Sequence, residues 1–217
     1  MDVAVSLAES YLRLNGYFTV TEVQVQQPVA GQPGQFETAT DLDILAVHLP
    51  WAAETVHRHG QQSAEQPGEI ILVDDPALRL IPGLPDLIIG EVKEGASQLN
   101  RALKTPEVLH VALRRAGCCP DEHIVQVADL LLRSGEAVLR PPQALGCRVR
   151  LASFCGYVDE AGAPEVLTVT LGHMLRFIEE RLTAYRQVLS SAQFRDPSLG
   201  MLKLMEKLGI GLAFKRE

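Results

Sequence analysis

The segment LPDLIIGEVKEG, residues 84–95, constrains the fold more than any other part of the chain. Pro85 and Gly95 bound it, and the β-branched pair Ile88 and Ile89 lies at its centre, so it reads as a strand of a buried sheet. The two-residue period of a strand puts Glu91 and Lys93 on one face and Val92 on the other. An acid and a base then project together from the end of a buried strand, where charge is costly unless it is paired or metal-bound. The rest of the fold has to supply that compensation.

The order of periodicities gives the frame. Val3, Leu7, Tyr11 and Leu14 recur at helical steps, predicting a first helix that Asn15-Gly16 ends. Residues 17–26 are rich in Thr, Val and aromatics and read as a strand. The turn-rich stretch 27–35 leads to a second strand ending in DLDILAVHLP, so the pair reads as a hairpin. Residues 51–69 are polar and weakly periodic, with a short helix possible at 52–57, and read as an insertion. After the segment at 84–95, helical patterns cover 96–116 and 124–132, and CRVRLASFCGYV at 147–158 reads as a fourth strand. Leu171, Leu175, Ile178, Leu182, Tyr185 and Leu189 then form one helical stripe. Asp196-Pro197 opens a last short helix over 198–208. The expectation is an α/β core over residues 1–160 with an insertion at about 50–80, followed by a C-terminal helical extension over 161–217 packed on that core.

Composition removes several function classes. Twenty basic against 27 acidic residues give a net charge of −7, so the chain as a whole is no polycation and a nucleic-acid site would have to be local. No apolar run approaches the roughly 18 residues of a membrane span. The N-terminal stretch carries Asp2 and Glu9 and lacks a basic signal region, and the four cysteines include an adjacent pair. A cytoplasmic protein is the expectation.

Two further acids stand where a core should be. Asp43 lies between Leu42 and Ile44 in the second strand, with Asp41 on the same face by parity. If strands two and three pair, Asp43 and Glu91 could converge on one hard cation, which takes oxygen ligands. Glu9 falls at the rim of the apolar arc of the first helix, from where it could look across the core edge. A surface ion pair with Arg13 at i+4 explains it equally well.

With this order of elements and acids, the chain resembles the PD-(D/E)xK nuclease superfamily, the restriction-endonuclease-like fold, over residues 3–158. That family carries an acid on helix one, an Asp on strand two and a (D/E)xK triplet on strand three, and Glu9, Asp43, Glu91 and Lys93 stand in those places here. The resemblance implies an αβββαβ core with a mixed central sheet flanked by helices. It also implies a Mg²⁺- or Mn²⁺-dependent nuclease, a phosphodiester hydrolase acting on DNA, with RNA an open alternative. Asp43, Glu91 and the Val92 carbonyl would hold the metal, Lys93 would serve the attacking water, and Glu9 would be accessory. The rival is an inactive copy of the fold that binds nucleic acid or protein, and the acidic charge balance leans toward it.

Three departures mark the chain. The step from Asp43 to Glu91 is 48 residues, which lengthens the insertion between the two strands. Pro85-Asp86 mimics the family's dipeptide, but five residues before Glu91 its Asp takes the opposite face by parity. Gln98 is a weak match to a glutamine that follows the triplet in some branches.

Other clusters have plainer readings. Cys118, Cys119, Cys147 and His123 lack the spacing of a zinc knuckle and read as free thiols with a nearby histidine. His57 and His59 belong to the insertion. Arg101, Lys104, Arg114 and Arg115 form either a phosphate-binding stripe or an ordinary solvated face. The C-terminal stripe packs on the sheet or serves a homodimer contact.

Overall fold

Asp2 opens the first helix, α1 (Val3–Leu14), by accepting the Ala4 N–H at 2.7 Å. Gly16, at φ 79°, turns the chain out of it. The computed structural model describes residues 2–29, 31–50, 55–56, 69–70, 74–140, 146–158, 166–189 and 196–213.

The chain next forms an antiparallel hairpin of β1 (Tyr17–Pro28) and β2 (Phe36–His48). Two short strands, β3 (Thr55–Val56) and β4 (Glu69–Ile70), pair with each other within the insertion. Strand β5 (Asp86–Ala96) pairs antiparallel with β2 and parallel with β7 (Cys147–Tyr157). Between them run α2 (Pro106–Ala116), α3 (Ile124–Ser134) and the edge strand β6 (Glu136–Leu139). Strand β8 (Leu167–Thr170) adds to the C-terminal half of β7, and α4 (Leu171–Ala184), α5 (Arg186–Leu189) and α6 (Pro197–Lys207) follow. The result is an α/β fold with a mixed sheet in the order β1-β2-β5-β7-β6.

Alternation along β5 and β7 divides the core in two. Ile88, Val92, Ala152 and Phe154 face α1, α4 and α6, whereas Leu87, Ile89, Val149 and Leu151 face α2 and α3. Helices therefore cover both faces, as a sheet with a buried parallel pair requires. The C-terminal stripe is consumed inside this core, since Ile178, Leu182 and Leu189 are buried and Leu171, Leu175 and Tyr185 pack against the same cluster. No helix among the described residues is long and apolar enough to cross a membrane.

Strands β6 and β8 have no counterpart in the expectation, and four further differences fall in stretches expected as helix or insertion. The predicted helix over 96–116 starts only at Pro106, because β5 extends to Ala96 opposite Tyr157 of β7 and a 3₁₀ turn, Ala102–Lys104, intervenes. Proline is favoured in the first helical turn and breaks a helix anywhere further in. Within the stretch expected as a short helix at 52–57, Thr55 and Val56 are strand, and the other residues, with His59, lie outside those described. The helix expected over 171–189 is interrupted at Tyr185. The end of the insertion is core, because Leu78 is fully buried and the chain from Asp75 to Leu80 packs under the sheet.

Candidate active site

Register brings the first acids together. The β2–β5 ladder runs from His48–Asp86 to Ile44–Gly90 and stops there. The next positions in the same register are Asp43 and Glu91, and their carboxyls are close enough for Asp43 to push the Glu91 carboxyl up. Beyond Gly90, β5 continues beside β7 alone through Glu91, Val92 and Lys93. The two strands thus open into a fork with Asp43 on one prong and Glu91 on the other.

The hairpin is irregular beside the fork. Tyr17 and Val23 have the same parity, as do Leu42 and Ile44, yet the members of each pair belong to opposite cores. The ribbon therefore rolls over between them. Glu22 sits at the roll with φ 55°, and it and Asp43 are left unpaired between Thr21–Ile44 and Val23–Leu42, although the register is the same on both sides.

Asp43 fills the opening. Its Oδ2 accepts the Val92 N–H at 2.7 Å, replacing the ladder bond that β2 no longer offers. In an extended strand the N–H and C=O of one residue point to the same side, so the Val92 carbonyl also faces the fork. The Lys93 ammonium donates to Glu91 Oε1 at 2.7 Å. The glutamate side chain is only 5% exposed and the lysine 40%, so the pair runs from the interior to solvent.

Both acids are less acidic than usual. Burial pushes the Asp43 carboxyl up against the opposing Val92 N–H and Lys93, and Asp2 and Asp41 add to the rise. Burial likewise pushes Glu91 up, opposed by Lys93 and reinforced by Asp43. A buried carboxylate, Glu91, and a half-buried one, Asp43, thus lie at the fork with one ammonium.

Glu9 stands apart from this group. Its Oε1 accepts from Arg13 at 2.7 Å and from Thr19 of β1 at 2.9 Å, on the α1 side of the sheet. The acid that α1 brings within electrostatic reach of Asp43 is its N-cap, Asp2. Gln98 is exposed in the loop after β5.

Asp86 is sequestered on the opposite face, as parity requires. It accepts from Arg148 Nε at 2.7 Å, Arg150 Nη2 at 2.5 Å and the Tyr17 hydroxyl at 2.7 Å, while Arg148 and Arg150 donate onward to the carbonyls of Arg79 and Leu78. The cluster clamps the end of the insertion under the sheet. Beside it, Asp75 accepts from Tyr11 at 2.8 Å and Ala77 N–H at 2.9 Å, and lies 2.6 Å from His173 Nε2. Burial alone would push Asp75 up, but these bonds outweigh it and hold the carboxyl below its ordinary value.

The chain matches no protein-family model, no curated protein and no solved structure.

Among the remaining candidates, Cys118, Cys119 and Cys147 are neighbours at the edge of the core under α2 and α3. Cys147 Sγ donates to the Cys118 carbonyl at 3.1 Å, and all four cysteines are free thiols. No group of three or more His, Cys, Asp or Glu side chains arranged to hold a metal occurs among the described residues. A cation at the fork would therefore rest on two carboxylates, a carbonyl and water. Arg114 is paired with Asp121 at 3.1 Å on the surface of α2.

Residues that the sequence pattern left unmarked surround Glu91. Ser153 and Cys155 of β7 lie opposite Glu91 and Lys93 in register, both buried, and Ser97 donates to Ser153 at 3.2 Å. The Asn100 backbone N–H lies near enough to the Glu91 carboxyl to oppose the rise of its pKa. The period of two in CRVRLASFCGYV is the signal that could have put Ser153 and Cys155 on one face, but nothing local pointed to Asn100.

Proposed function

We propose that the protein is a divalent-cation-dependent phosphodiester hydrolase of the restriction-endonuclease-like kind, acting on DNA, with its site at the β2–β5 fork. One observation carries the reading: Asp43 and Glu91 end adjacent strands as neighbours, burial holds both carboxyls up with Asp43 adding to the rise at Glu91, and Lys93 is the one ammonium that opposes both. Two carboxylates minus one ammonium leave an excess negative charge, and all the available donors are hard oxygens. That set suits Mg²⁺ or Mn²⁺.

Asp43, Glu91 and the Val92 carbonyl would hold the ion. When bound, it would supply Lewis-acid stabilisation of the charge that builds on the phosphoryl oxygens. Lys93 reaches from its buried partner to solvent, so its ammonium is placed to hold a water against the phosphate and to manage its proton. The Val92 N–H keeps Asp43 turned into the fork. Glu9 has no part in this reading, because Arg13 and Thr19 already engage it.

A second reading, a catalytically silent binding module of the same fold, is favoured by the acids around the fork. Asp2 and Asp41 add negative charge beside Asp43, which opposes the approach of a polyanion.

The test is cleavage of linear, branched and single-stranded DNA, and of RNA, by the purified protein with Mn²⁺, beside Lys93→Ala. Cleavage by the wild type and a loss of at least about 100-fold in the variant, within the range for removal of a general acid-base group, are expected. No cleavage of any substrate and no Mn²⁺ binding by calorimetry would leave the silent module.

A further inference from the structure

The loop after β5 returns to the fork from below. Leu99 and Leu103 are buried in the same cluster as Leu42 of β2, which anchors the segment beneath the prong that carries Asp43. Between them, both ends of the Asn100 amide are engaged. Its Oδ1 accepts the Ala102 N–H at 3.1 Å, fixing the side chain and opening the 3₁₀ turn. Its Nδ2 donates to Thr40 Oγ1 on β2 at 3.3 Å. A single side chain thus ties the loop that continues one prong to the other prong, beyond the point where their ladder has ended. The amide offers an acceptor and a donor on separate atoms, so it can serve both partners at once.

We propose that Asn100 is a positioning residue that fixes the opening of the fork by tying the loop after β5 to Thr40 of β2. The inference rests on the metal-site reading for its consequence, since the opening sets the separation of Asp43 and Glu91. Partners that orient metal ligands typically alter affinity 10- to 100-fold when lost, and one long, half-exposed bond should fall at or below the bottom of that range.

The test compares the wild type, Asn100→Ala, Thr40→Val and the double variant. Hydrogen exchange is read at the Val92 amide, which Asp43 protects only while the fork holds its shape, with the Ile89 and Leu151 amides as controls within the sheet. Calorimetry with Mn²⁺ alone gives the affinity. Each single variant should speed exchange at Val92 about three- to tenfold and weaken Mn²⁺ binding by a similar factor, with the controls unchanged. The double variant should be no worse than either single one. Exchange and affinity at wild-type values in Asn100→Ala, or equal acceleration at all three amides, overturn the clasp. A wild type that binds no Mn²⁺ overturns the metal reading instead, and the exchange data then decide the clasp alone.

Discussion

Asp86→Asn separates a structural acid from those of the proposed metal site. The carboxylate is 1% exposed and receives three donors, from Arg148, Arg150 and Tyr17. The amide keeps its size but loses the charge, and its NH₂ group turns a donor toward guanidinium or phenol groups that need an acceptor. Two arginines, 6% and 4% exposed, would then lack their buried counter-charge, although Arg148 keeps Glu136 at 3.8 Å. Breaking a buried pair from one side typically costs about 3–5 kcal/mol. At roughly 2–4 °C per kcal/mol for a chain of this size, the midpoint should fall by about 6–20 °C. Urea and thermal unfolding followed by circular dichroism measure this, and Mn²⁺ calorimetry below the transition should return the wild-type affinity. A variant within about 1 kcal/mol of wild-type stability that had lost Mn²⁺ binding would refute the reasoning. Asp86 would then belong to the metal site and the assignment of faces along β5 would be wrong.

Two further outcomes follow from the same geometry. The Asp43 carboxyl is held above its unfolded value near 3.9, so as an isolated group it destabilises the fold increasingly as pH rises from there through its raised pKa. Asp43→Asn keeps an acceptor for the Val92 N–H and removes that burden, so in metal-free buffer it should melt above the wild type at neutral pH. The gap should close as pH falls toward 4, and added Mn²⁺ should raise the wild-type midpoint but not the variant's; a variant melting lower at pH 7 would contradict this. Gly156→Ala would put a methyl 2.0 Å from the Glu94 carbonyl oxygen, between β7 and β5 just past the fork. Relief requires backbone movement, at about 2–3 kcal/mol or a fall of roughly 4–12 °C in the melting midpoint, and a midpoint within about 2 °C of wild type would show that the strands are not so close.

The local pattern carried much of the site. The period of two placed Glu91 with Lys93 and set Asp86 against them, because alternation is a property of any extended strand. Helical spacing likewise foretold α1 and the buried stripe of α4, and Asp196-Pro197 foretold the start of α6, where Asp196 accepts the Leu199 N–H at 2.9 Å. Glu9 shows the limit of that reading. A helical wheel gives an angle around an axis and not the distance to a strand, and the i+4 arginine and a threonine on the next strand took its carboxylate.

What the sequence determined by itself is the α/β class, the principal helices and strands, and which side chains share a face along an unbroken strand such as β5, since these follow from repeats within a few residues. Tertiary structure decided the rest. The meeting of Asp43 with Glu91 depends on the register of strands 48 residues apart. The burial of Asp86 depends on two arginines contributed by β7. Long-range register is chosen by the whole core at once, because shifting a strand by one residue would turn each of its apolar side chains to the other face.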